Sequence, residues 1–172
     1  MRILVVSDSH ASRSFMCRCA ELLQPDMMIH LGDYYEDGEV LHELYPRPKF
    51  LQVPGNCDSG RLPEPVYQVL QPVLEGVRIF LTHGHLHHVK SGIGALLADA
   101  RRSGAKLVLF GHTHRPCCEQ TEDGIWVLNP GTCGFGGGTV GLVELDSGAV
   151  QSCRILSEKE LYEAERARSS IV

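Results

Sequence analysis

The side chains of this 172-residue chain that could do chemistry fall in short groups, each just behind an apolar run. Asp8 and His10 follow Ile3 to Val6, Asp33 follows Met27 to Leu31, and Asn56 follows Phe50 to Val53. His83 follows Val77 to Leu81, and His112 and His114 follow Lys106 to Phe110. Short, continuously apolar, β-branched runs are expected to be buried strands. In α/β sheets the carboxyl ends of strands are where loops converge, so these seven residues, distant in sequence, are expected at one edge. Three Asp/Asn oxygen donors and four imidazoles exceed what a single ion holds while keeping a position open for substrate. They suit two divalent ions sharing a carboxylate, with Asp33 as the natural bridge. Carboxylate, amide and imidazole ligands without thiolates favour Mn, Fe, Zn or Ni over copper(I) or an iron–sulfur cluster. Gly32, Gly55, Gly84 and Gly111 beside these residues mark tight elbows where backbone passes close to a metal or an anion.

The elements that must position these groups alternate at first. A strand over Arg2 to Ser7 leads to a helix over Arg13 to Leu23. Strands over Met27 to Leu31 and Phe50 to Val53 flank a mixed segment, Tyr34 to Leu44. Alternation of this kind implies buried parallel pairing. From Val66 the pattern changes. Glu75-Gly76 predicts a hairpin between Tyr67 to Leu74 and Val77 to Leu81. A helix over Ile93 to Arg102 closes at Gly104, and Lys106 to Phe110 is a further buried strand. Asp123-Gly124 and Ser147-Gly148 turn two more hairpins, Cys117 to Thr121 with Ile125 to Leu128 and Val140 to Leu145 with Val150 to Ile155. Ser157 with Glu160 forms a capping box that opens a last helix through about Ala167. The fold expected is α/β with an α+β mixture, two packed sheets flanked by helices, in one domain over residues 1–172.

Composition removes several classes. Sixteen Lys and Arg against 21 Asp and Glu give a formal charge of −5, the wrong sign for holding duplex nucleic acid by counterion release. The apolar stretches are strand-sized, short of the roughly 20 residues of a membrane span. The first strand is expected to begin at once, and no signal peptide is expected. Seven cysteines, an odd number without C-x-x-C spacing, indicate neither a disulfide framework nor a zinc finger. A reducing cytoplasm is the expected compartment.

Taken together, Asp8-Ser9-His10, Gly32-Asp33, Gly55-Asn56-Cys57-Asp58, Thr82-His83-Gly84-His85 and Gly111-His112-Thr113-His114 resemble the calcineurin-like metallophosphoesterases in order and approximate spacing. The length and the Gly-Asn-Cys-Asp variant are similar to the small, capless YfcE-type phosphodiesterase branch, and Asn129-Pro130-Gly131-Thr132 resembles a further element of that family. The resemblance implies a four-layer α-β-β-α sandwich of two mixed sheets with a dinuclear centre at one edge. It implies that Asp8, His10 and His114 hold one ion, that Asn56, His83 and His112 hold the second, and that Asp33 bridges them. Two divalent ions are then the cofactors, manganese first, with Fe, Zn, Ni or Co as alternatives.

The activity so implied is hydrolysis of small phosphate esters, diesters ahead of monoesters, by in-line attack of a hydroxide shared by the two ions, with no covalent enzyme intermediate. Asn56 and His83 then belong to the catalytic groups. Many larger relatives carry His after the Gly-Asn, where it protonates the departing alkoxide. Cys57 is a poorer acid there, so aryl-type diesters, which leave without a proton, are the expected substrates, with Asp58 or His85 as other sources of a proton. The Gly-rich run from Gly131 to Gly138 holds no Lys or Arg to grip a second phosphate. Three alternatives stay open: a protein-interaction scaffold, as in the retromer subunit of this fold, a phosphomonoesterase, or a nuclease. No membrane or duplex partner is expected, and the exposed hairpins could carry a homo-oligomer contact.

Other polar residues have plainer expectations. His30 is expected to be a buried residue orienting Asp33, His42 a solvated helix residue, and His87 and His88 parts of a polar loop. Cys57 is expected to pack beside the site rather than act as a nucleophile. Cys17 and Cys19 are expected to pack on the first helix as small hydrophobes.

Overall fold

The computed structural model describes residues 1–60, 62, 66–134 and 137–169. Its first half alternates strand and helix: β1 (Arg2–Val6), α1 (Arg13–Leu23), β2 (Met27–His30), α2 (Tyr35–Leu44) and β3 (Lys49–Gln52). After β4 (Val69–Leu70), β5 (Val73–Leu74), β6 (Val77–Thr82), α3 (Gly94–Ser103) and β7 (Leu107–Leu109), the chain turns to hairpins. These are β8 (Cys117–Gln120) with β9 (Trp126–Asn129) and β10 (Thr139–Asp146) with β11 (Ala149–Ser157), followed by α4 (Glu158–Ser169).

The strands form two mixed sheets. The first has the order β11-β10-β1-β2-β3, with β1, β2 and β3 parallel and β10 and β11 antiparallel. The second runs β4-β6-β7-β9-β8, with β5 also paired to β6. Its central strands β6, β7 and β9 are parallel. Alternate residues of β1 explain the layering. Ile3 and Val5 enter a core shared with Ile79, Leu81, Leu107 and Leu109 of the second sheet, while Leu4 and Val6 pack under Phe15, Met16, Leu41 and Leu161 of the helices. On the far side, Phe80, Val108 and Val127 of the second sheet pack on Leu96 and Ala100 of α3. A strand buried on both faces must be apolar throughout, which is why β1 and β7 show no polar alternation. The result is the expected four layers, helix, sheet, sheet, helix.

The expected strand over Tyr67 to Leu74 is instead two, because Gln71 and Pro72 interrupt it and proline cannot donate to the ladder. Its turn is as expected, with Glu75 and Gly76 at φ 48° and 80° joining β5 to β6. The capping box before α4 is present: Glu160 Oε2 accepts from Ser157 N at 2.8 Å, and Glu160 N donates to Ser157 Oγ at 3.3 Å. Phe135 and Gly136 of the Gly-rich run lie outside the described residues. Among the described residues no helix is long and apolar enough to cross a membrane.

At the end of β2, His30 is wholly buried. Its Nδ1 accepts the Gly32 amide at 3.2 Å, and its Nε2 faces Ser9 Oγ at 3.5 Å. Burial pushes its pKa down to about 4, against the opposing pull of Asp58, Asp37 and Asp33. A base with a lower pKa in the folded than in the unfolded chain binds fewer protons when folded. Its contribution to stability is therefore complete above about 6.5 and is lost as pH falls towards about 4. In His30→Asn the amide oxygen replaces Nδ1 as acceptor for Gly32 while the titration is removed. Between pH 6 and 4.5 the wild-type chain should lose roughly 1 kcal/mol more per pH unit than this variant, as read from urea midpoints. Parallel curves would show that His30 is not held neutral.

Candidate metal centre

Loops from both sheets meet at the carboxyl ends of the parallel strands. Asp8 and His10 follow β1, Asp33 follows β2, Asn56 follows β3, His83 follows β6, and His112 and His114 follow β7. Asp8, His10, Asp33 and His114 each offer one ligand atom, and these atoms all lie within 4.8 Å of one another. On the other side of Asp33, His83 Nε2 lies 3.2 Å from Asn56 Oδ1, 3.2 Å from His112 Nδ1 and 3.6 Å from Asp33 Oδ1. Asp8, Asp33 and His83 form a buried floor, while Asn56 and His114 stand exposed at the mouth.

The backbone bends sharply to aim these groups. Eleven described non-glycine residues have positive φ, and five of them are Asp8, His10, Asp33, His112 and His114. Left-handed backbone at bulky residues is uncommon and concentrates where function demands it. Close approach accounts for two glycines. A Cβ on Gly55 would strike the Asp33 carboxylate, and one on Gly111 would strike Ser7 Oγ and Asp8 Oδ2.

The donors face a common space rather than each other. His114 Nε2 is 3.0 Å from Asp8 Oδ1, yet the pair lacks hydrogen-bond geometry, and Asp8 Oδ1 is buried with no partner. His10 Nε2 and His114 Nε2 stand 3.3 Å apart. Atoms bound at roughly 2.0–2.2 Å to one ion lie about 3.0–3.5 Å from each other, so these separations suit donors around a shared cation. Among the described residues no Lys or Arg pairs with Asp8 or Asp33. Burial, with Asp33 adding like charge, pushes the Asp8 carboxyl up to about 7, although Ser7 Oγ at 2.5 Å and the His112 amide at 3.1 Å donate to its Oδ2. Burial acts on Asp33 in the same sense, but His83 and the Cys57 amide, 2.8 Å from Oδ1, outweigh it and hold its pKa below the ordinary value. Burial pushes His83 down to about 4, so its ring is neutral. Its Nδ1–H donates to Leu31 O at 2.8 Å, which leaves the Nε2 lone pair facing the site. Crowded buried carboxylates with no Lys or Arg partner among the described residues, beside the neutral ring of His83, fit divalent cations.

Behind the donors stands a layer of polar residues, of which the sequence singled out Asn129 and Thr132 but not Asp37. Asp37, buried in the first turn of α2, accepts from Ser9 Oγ at 2.7 Å, Ala11 N at 2.9 Å and Arg13 Nε at 2.5 Å, which fixes the loop carrying Asp8 and His10. An acidic residue in a first helical turn is ordinary in sequence, so nothing there marked Asp37. Asn129 Nδ2 donates to Gly111 O at 2.8 Å and Thr113 Oγ1 at 3.0 Å, holding the His112 to His114 loop. Thr132 Oγ1 donates to Asp8 O at 2.7 Å.

Asp58, expected as a proton source, serves the backbone instead. Its buried carboxylate accepts from Tyr35 N at 2.9 Å and Gly55 N at 2.7 Å, tying the Asp33 and Asn56 loops together. Cys57 is exposed rather than packed, and burial of its sulfur with Asp33 beside it pushes the thiol up to about 11. His85 stands at the site, its ring centroid 5.4 Å from that of His83 and 6.1 Å from that of His112. His87 is turned away towards Asp99 at 3.3 Å, and the exposed His42 stacks on Phe50.

Comparison with known proteins places this geometry in a family. Residues 1–148 match the calcineurin-like phosphoesterase superfamily domain. The chain is 33% identical over 137 residues to the probable metallophosphoesterase YsnB of Bacillus subtilis, covering 77% of this chain and 75% of that one. It is 32% identical over 153 residues to phosphodiesterase YfcE of Escherichia coli, covering 77% and 79%. Among solved structures, an archaeal phosphodiesterase superposes with TM-score 0.72 at 24% identity, over 91% of this chain and 99% of that one. Zinc-complexed Vps29 of Entamoeba histolytica superposes with TM-score 0.69 at 19% identity, over the same shares, a likeness of fold alone. With the family model spanning most of its length and two relatives above 30% identity, the chain belongs to the calcineurin-like phosphoesterases, a family of phosphoester hydrolases.

Proposed function

We propose that this chain is a dinuclear metal-dependent phosphodiesterase acting on small diesters with acidic, aryl-type leaving groups. In this reading Asp8, His10, Asp33 and His114 hold one divalent cation, and Asp33, Asn56, His83 and His112 hold the other. The observation that carries it is Asp33, which lies within 4.8 Å of the first group of donors and 3.6 Å from His83 of the second. Divalent cations supply Lewis acidity towards phosphoryl oxygens and bring the pKa of water into the neutral range. The names of YfcE and the archaeal relative as phosphodiesterases support a diester substrate.

The chain's own residues account for the choice of leaving group. Cys57, with a thiol pKa of about 11, gives up a proton poorly at neutral pH. Asp58 faces backbone amides. His85 is then the donor that can reach a departing oxygen. Burial lowers its pKa, so little of it is protonated at pH 7 and assistance is weak. Substrates that depart as stable anions need no such help.

The scaffold reading is separated by turnover rather than by metal content, because a Vps29 structure also holds zinc. A panel of mono- and diesters, run with Mn, Ni, Co and Zn, tests both the activity and the cation. Asp33→Ala should lower diesterase activity at least about a thousandfold and reduce bound metal, with circular dichroism unchanged. Near-normal turnover in that variant contradicts the shared-ligand assignment. Matched aryl and alkyl diesters should differ by about a hundredfold or more in kcat/KM. His85→Ala should slow the alkyl substrate roughly tenfold while leaving the aryl one within about threefold. Equal rates on the two wild-type substrates would remove the leaving-group argument.

A further inference from the structure

A pairing of two cysteines lies away from the metal donors, where the two sheets overlap at one side of the sandwich. β8 is the edge strand of the second sheet and β11 the edge strand of the first. Cys118 on β8 and Cys153 on β11 point towards each other, and the Cys118 thiol donates to Cys153 Sγ at 2.9 Å. Both are half-buried, and both pack on the rim of the core between the sheets. A disulfide has its sulfurs about 2.05 Å apart, so joining this pair requires a movement of about 1 Å. Neighbouring Cys117 points to the opposite face of β8, against the core under α3, and is not placed to compete. Cys19 and Cys133 are buried in the layer under α1, and Cys57 stands at the mouth of the metal centre.

We propose that Cys118 and Cys153 form a reversible disulfide that staples the two sheets to each other, with a small-molecule disulfide as oxidant. The thiolate of one cysteine attacks a sulfur of the oxidant, forming a mixed disulfide and releasing one small thiol. The second cysteine's thiolate then attacks the protein sulfur of that mixed disulfide and releases the second small thiol. Two electrons and two protons pass from the protein thiols to the oxidant, which ends as two thiols. Burial holds both cysteines above the ordinary thiol value, so the reaction should be slow at pH 7 and quicken towards pH 9. The bond would close the loop from residue 118 to residue 153, restricting the unfolded chain without a large change in the folded one.

The pairing was hidden in a sequence where the two cysteines stand 35 positions apart among seven. The test uses the whole chain incubated with 2-hydroxyethyl disulfide at pH 8.5, quenched by alkylation in denaturant and digested after glutamate. The expected product joins fragment 76–119 to fragment 145–158 in most molecules, and a reductant separates them. The link should be absent from Cys118→Ser and from Cys153→Ser and present in Cys117→Ser. The oxidised protein should melt about 5 to 10 °C above the reduced one. Complete alkylation of all cysteines after oxidation, a link through Cys117, or a lower melting temperature in the linked form would each overturn the proposal.

Discussion

Two carboxylates, Asp8 and Asp33, are buried close together with no Lys or Arg among the described residues to pair them, and much of the surrounding structure answers to that constraint. A buried anion is costly unless it is paired or hydrogen-bonded, and here only part of the compensation comes from the protein. Asp8 Oδ2 takes a hydroxyl and an amide, Asp33 Oδ1 takes an amide, and Asp8 Oδ1 takes nothing. What is left over is negative potential and lone pairs aimed at one small volume. Burial keeps His83, which borders it, neutral, so that ring does not relieve the charge by protonation. Cations are the remaining partner that the chemistry of the site accommodates.

Holding such an arrangement takes a second set of buried polar groups. Asp37, Asp58 and Asn129 each accept or donate across loops that belong to different strands, so that no ligand loop is fixed by its own strand alone. Ser9 is the link in one such chain: its hydroxyl donates to Asp37, which also binds Arg13, while His30 approaches it from below. The left-handed backbone at Asp8, His10, Asp33, His112 and His114 is tolerated because these cross-loop bonds over-determine it.

Much of this was legible in the sequence, for physical reasons that differ by element. β1 and β7 could be recognised because burial on both faces demands unbroken apolar runs, and the turn at Glu75-Gly76 because its backbone requires positive φ. The seven donors stood out because each follows such a run. Asp37 did not, and Asp58 was legible as part of its motif but not as a holder of backbone amides, since a carboxylate in that role looks in sequence like any acid near a helix start. Cys57 was placed by type rather than by environment: a cysteine is usually buried, but here it follows Asn56 on an exposed 3₁₀ turn whose first amides serve Asp33 and Asp58. The meeting of Cys118 and Cys153 depends on how one sheet lies over the other, which no local pattern encodes.

The origin of the ligands ties the site to the fold. Asp8, His10, Asp33 and Asn56 come from strands of the first sheet, whereas His83, His112 and His114 come from strands of the second. Each of the two donor groups therefore mixes both sheets: His114 with Asp8, and His83 and His112 with Asn56. The contact between His10 and His114 spans 104 positions of sequence and exists only once the sheets are packed. A cation seated among such donors would bind the folded chain and find no comparable site in the unfolded one, so its binding free energy would add to the stability of the sandwich. The same geometry works in reverse. Any loosening of the inter-sheet core formed by Ile3, Val5, Ile79, Leu81, Leu107 and Leu109 moves one half of each donor set relative to the other. Apolar packing between the sheets, together with the polar bonds between the loops, therefore sets the distances on which the chemistry depends.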